Sequence, residues 1–219
     1  MTARSTTAAP RITTVRLPEL ASGDVRDLDY DVSVDAESCR DADLAGRNLA
    51  GSTFSDCEFI DVTLDDADLR AARFNDCRLT RMNAPVLKAS RSSWRGVEVI
   101  QSRVGSGELY DSGLNAVLFS HCKIGYLNLR GSTLRDVLFS DCTIDELDLG
   151  GAKATRVAFA DSSIRLLDAT HATFADLDVR GAELRGIRGI DNLRGTTMTE
   201  YQLAELSPLF AAHLGITIE

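Results

Sequence analysis

From Leu44 to Leu184 every fifth residue is apolar, 29 positions in succession without an insertion; 25 of them are Leu, Ile, Val, Phe or Trp and the other four are Ala. An α-helix repeats about every 3.6 residues and a strand about every 2.0, so neither produces a period of five. The backbone must turn after every few residues and return a side chain to a shared interior. The pattern predicts an all-β solenoid. Two residues before each of these centres lies a second inward position, filled by Ala42, Ser52, Cys57, Val62, Ala67, Ala72 and Cys77 in the early repeats. The other three positions of each five are mostly polar.

The second inward position repeats its chemistry every 20 residues rather than every five, which makes the coil four-sided. One ladder runs Cys57, Cys77, Val97, Val117, Val137, Val157, Leu177; another runs Ser52, Ala72, Ser92, Ser112, Ser132, Ala152, Ala172. The centres follow, with Phe119, Phe139 and Phe159 on one wall and Ile124, Ile144 and Ile164 on the next. Equal shapes on adjacent coils pack without voids. About seven coils fit between Ala42 and Ile187, and at roughly 4.8 Å per coil the shaft is about 35 Å long.

The expected organisation is a disordered tail at 1–14, an N-terminal cap with a degenerate first coil at 15–41, the β-helix at 42–190 and a helical C-terminal segment at 191–219. Val32, Val34 and Cys39 keep the phase of the repeat, while Asp29 and Glu37 fall on inward positions and mark the first coil as degenerate. At the other end, Thr199-Glu-Tyr-Gln202 has the form of a capping box, Leu203, Leu206, Phe210 and Leu214 recur at near-helical spacing, and Gly215 supplies a stop. Ser207-Pro208 predicts a division into two short helices, and Ile216-Thr217-Ile218 a short strand. Leu203, Leu206, Leu209, Phe210 and Leu214 are candidate contacts, either of a lid on the last coil or of a homodimer.

Segments such as Ala42-Asp43-Leu44, Ala67-Asp68-Leu69, Leu127-Asn128-Leu129 and Leu147-Asp148-Leu149 resemble the A(D/N)Lxx unit of the pentapeptide-repeat family, over about two thirds of the chain. The resemblance implies a right-handed, quadrilateral β-helix with four pentapeptides to a coil. Quinolone-resistance members of that family bind DNA gyrase as rods shaped and charged like DNA, and they dimerise through their C-terminal coils and helices. It therefore also implies a protein partner, DNA gyrase, and a homodimer.

Composition narrows the function further. The net charge of −9 disfavours direct nucleic-acid binding, which needs clustered Lys and Arg, and no apolar run is long enough to span a membrane. Met1 to Thr14 lack the apolar stretch of a secretory signal, and five cysteines, an odd number, fit a reducing compartment, so the expected location is cytoplasmic. Cys57 with Cys77, and Cys122 with Cys142, are each 20 apart and read as small core residues. His121 and His171 are two and a half coils apart, on opposite faces, and cannot share a metal. No phosphate-binding loop, nucleophile elbow or dinucleotide fingerprint occurs; neither an enzyme, a metal nor a cofactor is implied.

Function then lies on the outside of the shaft, where residues 20 apart are neighbours. Glu58-Arg78-Glu98, Asp68-Lys88-Glu108, Asp136-Arg156-Asp176, Asp61-Arg81 and Asp145-Arg165 should pair along it, whereas Asp56-Asp76, Asp141-Asp161 and Asp148-Asp168 stack like charges. Residues 136–183 carry ten acids against four bases, and 70–103 two acids against eight bases. Asp141, Asp145, Glu146, Asp148, Asp161, Asp168, Asp176 and Asp178 form the candidate acidic partner surface. Leu118, Leu138 and Ala158 make an outward apolar stripe, to be covered by the N-terminal segment or by a partner.

Overall fold

The computed structural model describes residues 7–24 and 28–218. Its strands pair in parallel, and wherever both strands lie between Ser33 and Arg188 the registered residues are 20 apart: Val117 lies beside Val137, Phe119 beside Phe139, Ile124 beside Ile144 and Leu147 beside Leu167. The chain is a parallel-strand β-solenoid of about nine turns. Both inward positions of each pentapeptide fill its interior, so the core is one continuous column rather than a globule. Phe119, Phe139 and Phe159 stack at centroid distances of 4.8 and 5.1 Å, and Phe54, Phe74 and Trp94 at 5.1 and 4.4 Å. The inward serines are satisfied within the ladder: Ser112 Oγ accepts from the Ser92 amide at 3.0 Å, and Trp94 Nε1 donates to Ser92 Oγ at 2.7 Å.

The square outline has a backbone cost at its corners. Two residues after many of the centres the chain adopts positive φ, a region that only Gly, and next to it Asp and Asn, enters cheaply. Of the 20 non-glycine residues held there among the described residues, 11 are Asp, among them Asp56, Asp76, Asp141 and Asp161. Gly46, Gly51, Gly96, Gly131 and Gly151 occupy the equivalent corners. The stacked aspartates are therefore a corner requirement before they are a surface property.

Of the tail expected at 1–14, residues 1–6 lie outside the described residues and residues 7–14 lie along the shaft. Three backbone amides bond to carboxylates on every second coil: Ala8 to Asp176 at 3.1 Å, Arg11 to Asp136 at 2.9 Å and Val15 to Glu98 at 2.9 Å. Arg78 also donates to the Val15 carbonyl at 2.8 Å. The segment thus runs extended along one wall, against the direction in which the coils advance, until Ala21–Ser22 pairs with Glu37 and Ser38. This route carries it along Leu118, Leu138 and Ala158, all half-buried. That route follows the first of the two coverings open for the stripe, the N-terminal strap. In the first coil the core position falls to Leu28, and Asp29 is exposed rather than inward.

At the opposite end a single helix spans Glu200–His213, not two, with Pro208 inside it. Proline cannot supply the amide that the Ala204 carbonyl would normally accept. The Ser207 hydroxyl replaces it, donating to that carbonyl at 2.7 Å, so the helix continues. The capping box at Thr199 and Gln202 forms, and Ile216–Ile218 is not a strand. No helix among the described residues is long and apolar enough to cross a membrane.

Candidate functional site

The eight candidate acids do not form one surface. Asp148, Asp168 and Asp178 sit one residue before a centre, and each accepts the amide two residues ahead, from Gly150 at 2.8 Å, Thr170 at 2.9 Å and Arg180 at 3.1 Å. Asp43, Asp68, Asn48 and Asn128 do the same at equivalent positions. This is the Asx turn, and it explains why the repeat unit carries Asp or Asn there. The turn folds the carboxylate back over the corner. Asp148 and Asp168 are consequently only 5% and 8% exposed, and both leave the expected outward surface. Asp148 is further held by Arg130 at 3.0 Å and the Tyr126 hydroxyl at 3.1 Å. Burial pushes the Asp168 carboxyl up, but the Thr170 hydrogen bonds and the fields of Arg130 and Arg188 outweigh it and hold the group below its ordinary range. Arg180, bonded at 2.6 Å, does the same for Asp178.

The remaining acids divide between anchors and open groups. Asp176 holds the strap, and Glu146 pairs with Arg188 at 3.1 Å. Asp141, Asp145 and Asp161 are exposed; Asp145 has Arg165 at 3.9 Å, Asp141 has His121 at 3.9 Å, and Asp161 has no ion pair among the described residues. Asp141 and Asp161 border a groove of about 890 Å³ between the last coils and the helix, lined also by Glu183, Tyr201 and Glu205. A hydrogen bond to the Glu205 carboxylate holds the Tyr201 phenol above its ordinary value. Sequence reasoning missed Tyr201 and Glu205 because only the docked helix brings them to this wall.

The helix contacts separate as clearly. Leu206 is buried and Phe210 packs against the column, while Leu203, Leu209 and Leu214 are exposed. Gln202 donates to the Val179 and Ala182 carbonyls at 2.6 and 2.7 Å, which ties the helix to backbone acceptors of the last coil. This face of the helix is a lid.

Several expected charge ladders form, with Arg78 to Glu98 at 2.8 Å, Arg81 to Asp61 at 2.5 Å and Arg156 to Asp136 at 2.6 Å. The Asp68-Lys88-Glu108 ladder does not: Lys88 pairs with Asp66 at 2.5 Å and Asp68 with Arg70 at 2.6 Å. The carboxylate of Asp68, turned toward its own corner, meets Arg70 first.

All five cysteines are free and buried. Burial raises the Cys39 thiol to about 11, and a hydrogen bond with Cys57, then burial, pushes Cys77 up, so neither offers a thiolate near neutral pH. The void lined by Leu44, Phe54, Phe74 and Leu79 is about 10 Å³, at the lower limit for a single water. With its interior filled and both ends covered, the chain is a capped β-solenoid that can meet other molecules only through its outer surface.

Within that class, the family description "Pentapeptide repeats" matches residues 38–82 in eight copies, and the same five-residue register continues to Leu184. The repeat of this chain is similar to that of the pentapeptide-repeat proteins. No curated protein matches it in sequence. Similar solved structures include trypsin-treated QnrB1, a plasmid-mediated fluoroquinolone resistance protein, at 21% identity, covering 88% of this chain and 94% of that one with a TM-score of 0.32. Another is HetL, involved in heterocyst differentiation regulation in the cyanobacterium Nostoc, at 16% identity, 78% and 90% coverage and a TM-score of 0.36.

Proposed function

We propose that the chain is a non-enzymatic, cytoplasmic, protein-binding rod whose acid-edged C-terminal coils occupy the DNA-binding surface of DNA gyrase. One observation carries this reading: Asp141 and Asp161 stand exposed on consecutive coils, beside Glu183 and Glu205, on a chain of net charge −9. Strands stacked about 4.8 Å apart give such carboxylates a pitch of the same order as the roughly 3.4 Å per charge along one DNA strand. A basic groove built for phosphates would gain both charge complementarity and a rigid, preorganised ligand. The exposed Leu203, Leu209 and Leu214 are the proposed homodimer contact, leaving Leu206 and Phe210 to the lid.

A supercoiling assay with purified gyrase tests the reading. Inhibition by the protein in the micromolar range, lost in Asp141→Lys/Asp145→Lys/Asp161→Lys, is the expected result; no inhibition and no gyrase binding contradict it. A second reading, a rigid protein-binding scaffold without DNA mimicry, is favoured by the backbone role of the corner aspartates. Under it, the same triple variant binds its partner as tightly as the unmodified chain.

A further inference from the structure

One wall of the square breaks the rule of the others. Its outward positions run Thr53, Arg73, Ser93, Gly113, Thr133, Lys153, Thr173 on one ladder and Ser55, Asn75, Arg95, Asn115, Arg135, Thr155, Ala175 on the next. Asp35 pairs with Ser55 at the N-terminal end of the second ladder, but beyond it, over the seven coils from Thr53 to Ala175, neither ladder holds a carboxylate. Each of the other three walls does, for example Glu58 and Glu98, Asp65 and Asp145, or Asp68 and Glu108. Arg73, Arg95, Arg135 and Lys153 are exposed, and none has an ion pair among the described residues. Elsewhere Arg78, Arg81, Arg130 and Arg156 each meet a carboxylate within 3.0 Å. On a chain with nine more acids than bases, seven coils of one wall without an acid and with four cations outside any ion pair among the described residues are a local reversal of sign.

We propose that this wall docks an extended, acidic segment of a protein partner, laid along the axis of the shaft. Coil spacing sets the cations about 4.8 Å apart from Arg73 to Arg95, about 9.6 Å from Arg95 to Arg135, and about 4.8 Å from Arg135 to Lys153 along the axis. Carboxylates on flexible side chains reach such a row, and each arginine can take one in a bidentate pair. Thr133, Asn115 and Thr155 add neutral hydrogen-bonding groups beside a shallow trough of about 510 Å³ on the same wall. The wall is about three residues, or roughly 10 Å, across. A DNA duplex, whose major groove alone is about 12 Å wide, would overhang it and bring phosphates onto Asp56, Asp76 and Asp111 at the flanking corners. Single strands are held largely by stacking on aromatic side chains, and this wall presents none outward. The surface lies opposite Arg103 and Lys123 on the square and is separate from the groove at Asp141 and Asp161, so it stands independently of the gyrase reading.

The test uses the full chain and two fluorescent probes of equal charge, a peptide of alternating Glu and Ser and an oligo-dT, titrated at low and at physiological salt. The peptide should bind, more weakly as salt rises. Arg95→Glu/Arg135→Glu should weaken it by about tenfold or more, and the charge-matched control Arg103→Glu/Lys123→Glu by less than about twofold. Unchanged thermal melting of both variants keeps the comparison free of folding effects. The proposal is overturned by absence of peptide binding, by equal losses in the two variants, or by tighter binding of oligo-dT through the same arginines. It is also overturned if the unmodified chain sediments as a dimer that Arg95→Glu/Arg135→Glu dissociates, which would mean that a second copy occupies the wall.

Discussion

Asp141 and Asp148 lie on one coil and carry the same charge, yet the solenoid uses them in opposite ways. Asp141 occupies a positive-φ corner and turns its carboxylate to solvent. Asp148 faces back over the next corner, where it accepts from Gly150, Tyr126 and Arg130. The first is chosen for what its backbone tolerates, the second for what its side chain bonds. Acid count along a solenoid therefore measures two architectural needs as well as any partner, and only the first kind leaves a carboxylate free.

The sharpest way to break this comparison is to remove the bonded carboxylate. Asp148→Ala leaves the Gly150 amide without its acceptor and Arg130 without its partner, and should cost about 2–3 kcal/mol in urea denaturation. A loss under about 0.5 kcal/mol would mean that the Asx turn is not a structural element. Asp136→Ala probes the strap side, where the carboxylate joins Arg156 to the Arg11 amide; about 2 kcal/mol should be lost, together with faster amide exchange over residues 8–15.

Corner substitutions should act more gently. Asp161→Ala forces a Cβ without a local acceptor into positive φ and should cost about 1 kcal/mol, while Asp161→Asn should cost almost nothing. Equal losses in the two would remove the conformational reason for aspartate at the corners. Leu203→Ala should leave the stability of the monomer within about 0.5 kcal/mol, whereas Leu206→Ala, which opens the lid, should cost about 2 kcal/mol or more.

Titration separates the bonded set as a group. Hydrogen bonds from Arg81, Arg70, Arg156 and Arg180 hold Asp61, Asp68, Asp136 and Asp178 below their ordinary range, with burial opposing, and Asp168 joins them through Thr170. A carboxylate depressed in the folded chain contributes stability above its unfolded value near pH 3.9, and loses it as pH falls through the lower folded value. Thermal midpoints should accordingly be flat from about pH 7 to 5 and fall below about pH 4. A midpoint that rises on acidification would contradict the assignment.

The column was legible in the sequence because each coil repeats the chemistry of the last: Phe119, Phe139 and Phe159, or Ser92, Ser112 and Ser132, announce a common wall without reference to anything distant. The strap was not. Its anchors are backbone amides, which carry no residue signature, and they bind Glu98, Asp136 and Asp176, 83 to 168 residues away. The unbroken helix was hidden because Pro208 is ordinarily an interruption, and only the rotamer of Ser207 shows the lost hydrogen bond replaced. The burial of Asp148 and Asp168 was hidden for a related reason. An outward position in a five-residue pattern says where the Cβ points, not where an Asx turn sends the carboxylate.

The same substitution at both sites gives the most direct measurement: Asp141→Gly and Asp148→Gly, unfolded in urea at pH 7. Glycine meets everything a positive-φ corner requires and nothing that an Asx acceptor supplies. The first variant should stay within about 0.5 kcal/mol of the unmodified chain and the second should lose about 3 kcal/mol. Equal losses, or a larger loss at Asp141, would contradict the division between corner and turn aspartates on which the reading of this surface rests.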